Sequence, residues 1–233
     1  MKKIIFLLIL IVTVSSCQKD IFKDENGIIK CKEDVKVGFI GEVDGVSYTV
    51  VDSLMLKDLL KNNPSNLKFI CTSKITNMEG LFEDSKFNGD ISKWDVSSVT
   101  NMERMFYRSD FNGDISKWDV SSVTNMERMF TTSKFNGDIS NWNVSNVTNM
   151  SNMFGHSKFN GDISKWDVSS VTNMAEMFGY NKKFNGDISN WNVSNVTNME
   201  AMFGYSNFNG DISNWDVSNV TNMLGMFGYS NFN

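Results

Sequence analysis

The 233-residue chain is 41% hydrophobic, with 22 basic residues against 27 acidic ones, and it contains a single histidine. Loss of Lys2 and Lys3 with an N-terminal leader takes the net charge from −5 to −7, and an acidic chain without a basic cluster is a poor nucleic-acid binder. His156 occupies a position that other copies of the same repeat fill with Arg, Thr or Tyr, so it is no general base; the expectation is a protein that is not an enzyme and needs no cofactor.

Residues 1–16 read as a lipoprotein signal peptide. Lys2 and Lys3 precede an apolar run over residues 4–14, too short for a bilayer-spanning helix, which needs about 20 residues. Ser15 and Ser16 then stand directly before Cys17. This arrangement resembles a bacterial lipobox and implies cleavage before Cys17 and lipidation of that residue, giving a membrane partner through several acyl chains. Residues 17–26 are expected to form a lipidated tether. Lys19-Asp20 after Gln18 resembles the lysine-acid sorting signal of some Gram-negative bacteria, which implies lipid anchoring at the bacterial outer membrane with surface exposure.

Residues 27–66 read as an N-terminal ββα cap module. Apolar and polar residues alternate on both sides of Asp44-Gly45, which predicts a hairpin with a tight turn. Asp52 or Ser53 then caps a helix running through Leu54, Leu56 and Leu60 to Asn62-Asn63-Pro64. Two cysteines besides Cys17 remain, Cys31 and Cys71. They are either a disulfide, in an oxidising compartment, or two buried free thiols.

Residues 67–86 form a degenerate first repeat, in which Ile75, Met78 and Phe82 match Val99, Met102 and Phe106. Six repeats of 24 or 25 residues follow over 87–231, opening at Phe87, Phe111, Phe135, Phe159, Phe184 and Phe208. A further repeat opens at 232–233. Such a period predicts stacked units, because one unit alone cannot bury its apolar face. Within a unit, residues 91–96 are expected to form a short strand with Trp94 and Val96 inward and Lys93 and Asp95 outward. Met102, Met105 and Phe106 are expected to line one face of a short helix, capped by Thr100 with Glu103 completing a capping box. The fold class is thus an α/β repeat solenoid, leucine-rich-repeat-like and right-handed, with 24-residue coils behind the ββα cap.

The leader, the "VGFIGEVDGVSYTVVD" module, the "CTSKITNMEGLF" coil and the "FNGDISxWDVSSVTNMxxMF" units together resemble the BspA-like leucine-rich repeat surface lipoproteins of bacteria. The resemblance implies a cell-surface protein engaged in adhesion and in host or matrix contact. The expected function is a non-enzymatic recognition or adhesion solenoid; the alternatives are a structural spacer or coat component and a glycan-binding lipoprotein of an uptake system.

Several repeated residues have a chemical reading beside a packing one. The Met-x-x-Met pairs share the only apolar face of their segment, which is a core position rather than a copper ladder. Asp90 and its five counterparts offer one carboxylate per unit, which suits turn capping better than a calcium column. Neither implies a metal. The candidate binding face combines Tyr180, Tyr205 and Tyr229, with His156 in the same column, and the pairs Lys93/Asp95, Lys117/Asp119 and Lys165/Asp167. Its ligand is expected to be a protein or a glycan. The apolar edge of the last coil suggests end-to-end self-association.

Overall fold

A computed structural model describes residues 19–233. The leader and Cys17, the lipidation residue, lie outside the described residues. Two hairpins open the fold. β1 (Ile21–Lys23) pairs antiparallel with β2 (Ile29–Cys31), and β3 (Ile40–Val43) pairs antiparallel with β4 (Val46–Val50). The second hairpin turns at Asp44-Gly45, where both residues take positive φ, 52° and 78°, as a two-residue turn between twisted strands requires. The first differs from the expected tether. Ile21 is buried against β3, so the chain becomes structured four residues after Cys17.

α1 (Ser53–Asn62) follows, with the Asp52 carboxylate accepting the Met55 N–H at 2.9 Å as its N-cap. Pro64 begins a 3-10 helix, Pro64–Phe69, and β5 (Ile70–Cys71) then adds in parallel to β4. β5 joins the module to the repeats, because Cys71 belongs to a small core with Ile21, Tyr48 and Val50 while its neighbour Ile70 belongs to the main one. Cys31 and Cys71 are free thiols. Cys71 is buried and its Sγ donates to the Ile29 carbonyl at 3.6 Å; burial pushes its pKa up to about 12, against the opposing pull of Ser73.

Beyond residue 76 the chain is built from units that lie side by side. Asn77, Asn101, Asn125, Asn149, Asn173, Asn198 and Asn222 form a column of parallel bridges, each to the next. From that column the backbone of one unit donates to the next at alternate residues: Met102 to Asn125, Arg104 to Glu127, Phe106 to Met129 and Arg108 to Thr131, all at 2.8–2.9 Å. The expected helix through Met102 and Phe106 is therefore absent. An α-helix directs every N–H back along its own axis, whereas here half of them are used between units and the other half close local turns such as Met105 to Met102. Two residues per unit take positive φ to permit this, Arg104 and Arg108 near 55° in one case, with Gly80 and Gly225 at the first of the two positions in the first and last units. The capping box does not form either. Thr100 bonds the Thr76 carbonyl of the preceding unit, and the Asn101 side chain, not Thr100, accepts the Glu103 N–H at 3.0 Å.

The expected strand over 91–96 is likewise replaced by two turns, closed by Trp94 N–H to Ile91 and Val99 N–H to Val96. The inward assignment of its apolar residues still holds, since Ile91, Trp94, Val96 and Val99 are all buried. The core consists of aromatic columns. Phe82, Phe106 and Phe130 stack at 5.3 and 5.5 Å, and Phe111, Phe135 and Phe159 at 6.4 Å. Each tryptophan also reaches back one unit: Trp118, Trp142 and Trp166 donate Nε1–H to the carbonyls of Ile91, Ile115 and Ile139 at 3.0–3.2 Å. Indole thus supplies both packing and a partner for a buried carbonyl, which Leu in that slot could not. The methionine pairs are fully buried among these rings, except in the last unit, where Met223 is exposed.

The one 25-residue unit is absorbed by a side chain. Where the other units carry Ser133, Ser157 or Ser206, this one has Asn181, whose Oδ1 accepts both Lys183 N–H and Phe184 N–H at 2.8 and 3.0 Å while Nδ2 donates to the Phe159 carbonyl. The longer amide spans the extra residue and keeps Phe184 in its column. At residues 232–233 the pattern continues, with Phe232 stacked on Phe227 at 4.2 Å and Asn233 N–H bonded to Asn209.

Candidate functional site

His156, Tyr180, Tyr205 and Tyr229 stand at the second positive-φ position of four successive units. Their backbones are locked between units: His156 N–H bonds the Gly179 carbonyl, Tyr180 that of Gly204 and Tyr205 that of Gly228, at 2.7–2.8 Å. This register stacks the rings face to face, with centroids 4.3, 4.4 and 4.7 Å apart and planes within 17° of parallel. The spacing is close to the ~4.8 Å of hydrogen-bonded strands, because the ladder beneath sets it. The three tyrosines are 43%, 38% and 81% exposed. Partial desolvation raises the pKa of the Tyr205 hydroxyl, and Tyr180 and Tyr229 on either side add to the rise. The sequence-predicted column is therefore one continuous ribbon.

A groove of about 320 Å³ runs beside the ribbon, with Glu176 at one end and Gly179, Gly204 and Gly228 along its floor. These glycines were missed in the sequence reading, although comparing the units could have found them. Earlier units carry Tyr107 and Thr131 where the later ones carry Gly155, Gly179, Gly204 and Gly228. A Cβ on Gly204 would stand 3.2 Å from the Ala201 carbonyl oxygen and 3.4 Å from that of Gly225, tighter than ordinary contact. The floor opens only where the aromatic ribbon begins.

The lysine and aspartate pairs behave differently. Among the described residues no ion pair links Lys93 to Asp95, Lys117 to Asp119 or Lys165 to Asp167, and no hydrogen bond or ring contact joins them to the ribbon. Asp95 is buried rather than outward, and accepts from Ser73 and Ser97. Asp119 and Asp167 accept the N–H of Ser121 and Ser169 at 3.1 and 3.0 Å. Asn143 and Asn192 accept the same bond in their units, which explains why Asp and Asn exchange there: the turn needs one Oδ1, not a charge. Lys93, Lys117 and Lys165 remain exposed, and Lys117 reaches the Asn26 carbonyl at 3.3 Å, a tie to the N-terminal module. The face narrows to the ribbon and its groove.

The glycine-aspartate turns also have a local role. Asp90, Asp114, Asp138, Asp162, Asp187 and Asp211 each accept the N–H of the serine two residues on, at 2.9–3.0 Å. No group of three or more His, Cys, Asp or Glu side chains is arranged to hold a metal ion among the described residues.

Residues 1–18 match a family model for the prokaryotic membrane lipoprotein lipid attachment site, so Cys17 and membrane anchoring rest on more than the spacing of the leader. Neither a curated protein nor a solved structure matches the chain. A second family model, described as a Mycoplasma protein of unknown function, DUF285, matches twice, over residues 53–158 and 132–233, and so covers α1 and every repeat. The chain is a lipoprotein with a lipid-attachment leader, and its repeats belong to the DUF285 family.

Proposed function

We propose that this lipoprotein is a non-enzymatic recognition or adhesion protein of the cell surface, and that the His156–Tyr180–Tyr205–Tyr229 ribbon with its glycine-floored groove is the contact face. The stacked units are read as a right-handed, leucine-rich-repeat-like solenoid of the BspA-like kind, anchored through Cys17 at the outer membrane and facing outward. The observation that carries the proposal is the ribbon itself. Four adjacent units hold aromatic side chains at the surface, three of them 38–81% exposed, while their other rings are buried apart from the half-buried Phe227. Exposed tyrosines on a rigid frame suit binding, because they offer large contact area with little side-chain entropy to lose.

The geometry favours a protein ligand over a glycan. Sugars stack on ring faces, but here the faces cover one another at 4.3–4.7 Å, leaving ring edges and hydroxyls outward. A row of hydroxyls beside an apolar groove suits an extended peptide segment with two or three inserted side chains, at the low end of ligand-site volumes of ~300–1,000 Å³. Replacing Tyr180, Tyr205 and Tyr229 together with Ser tests the reading. Attachment of cells to host or matrix surfaces is expected to fall by roughly tenfold or more, as loss of central aromatic contacts does elsewhere. Unchanged attachment by a folded variant favours the second reading, a structural spacer, which the regular unit-to-unit backbone ladder also supports.

A further inference from the structure

The exposed large hydrophobics of the described residues fall into three groups: the tyrosine ribbon, the last repeat unit, and a patch on the N-terminal module. The third lies closest along the chain to the lipid-attachment cysteine. It comprises Val37 and Phe39 just before β3, Ile40 at its start, Leu54 on α1 and Phe69 at the end of the 3-10 helix. Ile40 is 63% exposed and Leu54 78%. Ile40 pairs directly with Thr49, so both side chains leave the same face of the sheet. Thr49 in turn lines a groove of about 870 Å³ with Leu54 and Phe69. Ile40, Thr49, Leu54 and Phe69 thus share one side of the sheet, while the Phe39 ring lies with Gly41 on the opposite face of β3, the edge strand.

We infer that this face lies in the interfacial layer of the bilayer that holds the Cys17 acyl chains, as a second, non-covalent membrane contact. The length of chain between anchor and fold carries the inference. Cys17 is four residues from Ile21, a reach of at most about 14 Å. A Cβ on Gly41 would sit 3.2 Å from Ile21 and 3.1 Å from the Phe39 ring, so the tether enters the sheet at its edge strand, with Ile40 next along β3 and turned to the opposite face. A module held so closely cannot stand clear of the membrane, and the face it turns to the lipid is decided by which one loses least on leaving water.

Charge agrees with this placement. The net acidity of the mature chain resides in the repeats, since Lys and Asp/Glu balance over residues 19–74. Lys57 and Lys61 follow Leu54 at i+3 and i+7 on the exposed side of α1, and Lys68 lies 4.8 Å over the Phe69 ring. Long lysine stems at the rim of an apolar face suit a headgroup layer. The repeats, carrying the excess negative charge, are then directed away from an anionic surface.

The test uses the lipidated full-length protein, reconstituted into phosphatidylcholine–phosphatidylglycerol vesicles with brominated acyl chains. All six native tryptophans lie in the repeats and are buried, so the wild-type emission serves as an internal blank. Ile40→Trp, and separately Leu54→Trp, both at open sites, add reporters on this face. The expected result is a roughly twofold loss of the added emission in brominated relative to plain lipid, with the wild-type signal unchanged. No quenching of either reporter overturns the inference, as does quenching that is absent while crosslinking at the patch rises with protein concentration, which would assign the face to a second copy. The intact mass of the protein reads acylation of Cys17 separately, so failure of the anchor is not confused with failure of the docked face.

Discussion

Replacing Trp142 with Leu tests the account of how the units hold together. Trp142 is 3% exposed, packs against Phe130, and donates Nε1–H to the Ile115 carbonyl at 3.1 Å. Leu buries roughly 70 Å² less apolar surface, worth about 2 kcal/mol at ~25 cal/mol per Å². Loss of the hydrogen bond leaves the buried Ile115 carbonyl unpartnered, at about 1–2 kcal/mol. A residual cavity between two stacked units adds to this, because neighbouring rings tied to their own backbone ladders relax little. The expected total is about 3–5 kcal/mol, read as a shift of the urea midpoint followed by far-UV circular dichroism. Trp142→Phe separates the components: it keeps a ring and loses the donor, and is expected to cost about 1–3 kcal/mol, part of it from the smaller ring. If Trp142→Leu costs under about 1 kcal/mol, the tryptophan is not a tie between units and the argument fails.

Two further outcomes follow from side chains that accept turn hydrogen bonds. In Asp90, Asp167 and Asp216 the hydroxyl of the serine two residues on, followed by its amide, holds the carboxyl below its usual range; in Asp138, Asp162, Asp187 and Asp211 the amide leads. A folded-state pKa below the unfolded one stabilises the fold above the unfolded value and loses that contribution as pH falls through the folded one. The thermal midpoint should therefore hold steady above about pH 5 and drop below about pH 4, and a flat profile down to pH 2.5 would count against these turns as stabilising devices. Asn181→Ser removes the side chain that spans the 25-residue unit, since one hydroxyl cannot serve both Lys183 and Phe184 and also reach Phe159. It is expected to lower stability by about 1–3 kcal/mol in urea unfolding, whereas a neutral result would mean that the inserted residue is absorbed elsewhere.

Legibility varied with the kind of interaction. The β3–β4 hairpin and α1 were readable because each rests on a local rule, a two-residue Asp-Gly turn and an Asp cap. The repeat boundaries were readable because Phe87 and its counterparts recur. The helix drawn through Met102 and Phe106 was wrong for an instructive reason: the i, i+3, i+4 spacing of buried residues reports only which side faces the core. A chain of tight turns with two residues near φ 55° satisfies the same spacing. The tether was misread because Ile21 is buried by contacts with β3, some twenty residues on. In the site, the tyrosine column was visible in the sequence, but the Lys/Asp columns looked equally outward until Asp95 was seen to face the interior.

What the sequence determined alone was the unit and its inventory: which residues are buried, where the chain turns, and that identical copies must stack, because a single unit cannot offset its ordering entropy. What only the tertiary structure decided was the direction of the backbone hydrogen bonds. Apolar pattern is blind to whether an N–H bonds within its own unit or to the next, since both bury the same side chains. The choice made here, bonding to the next unit, brings four rings from residues about 24 apart to within 4.3–4.7 Å of one another and opens the groove beside them.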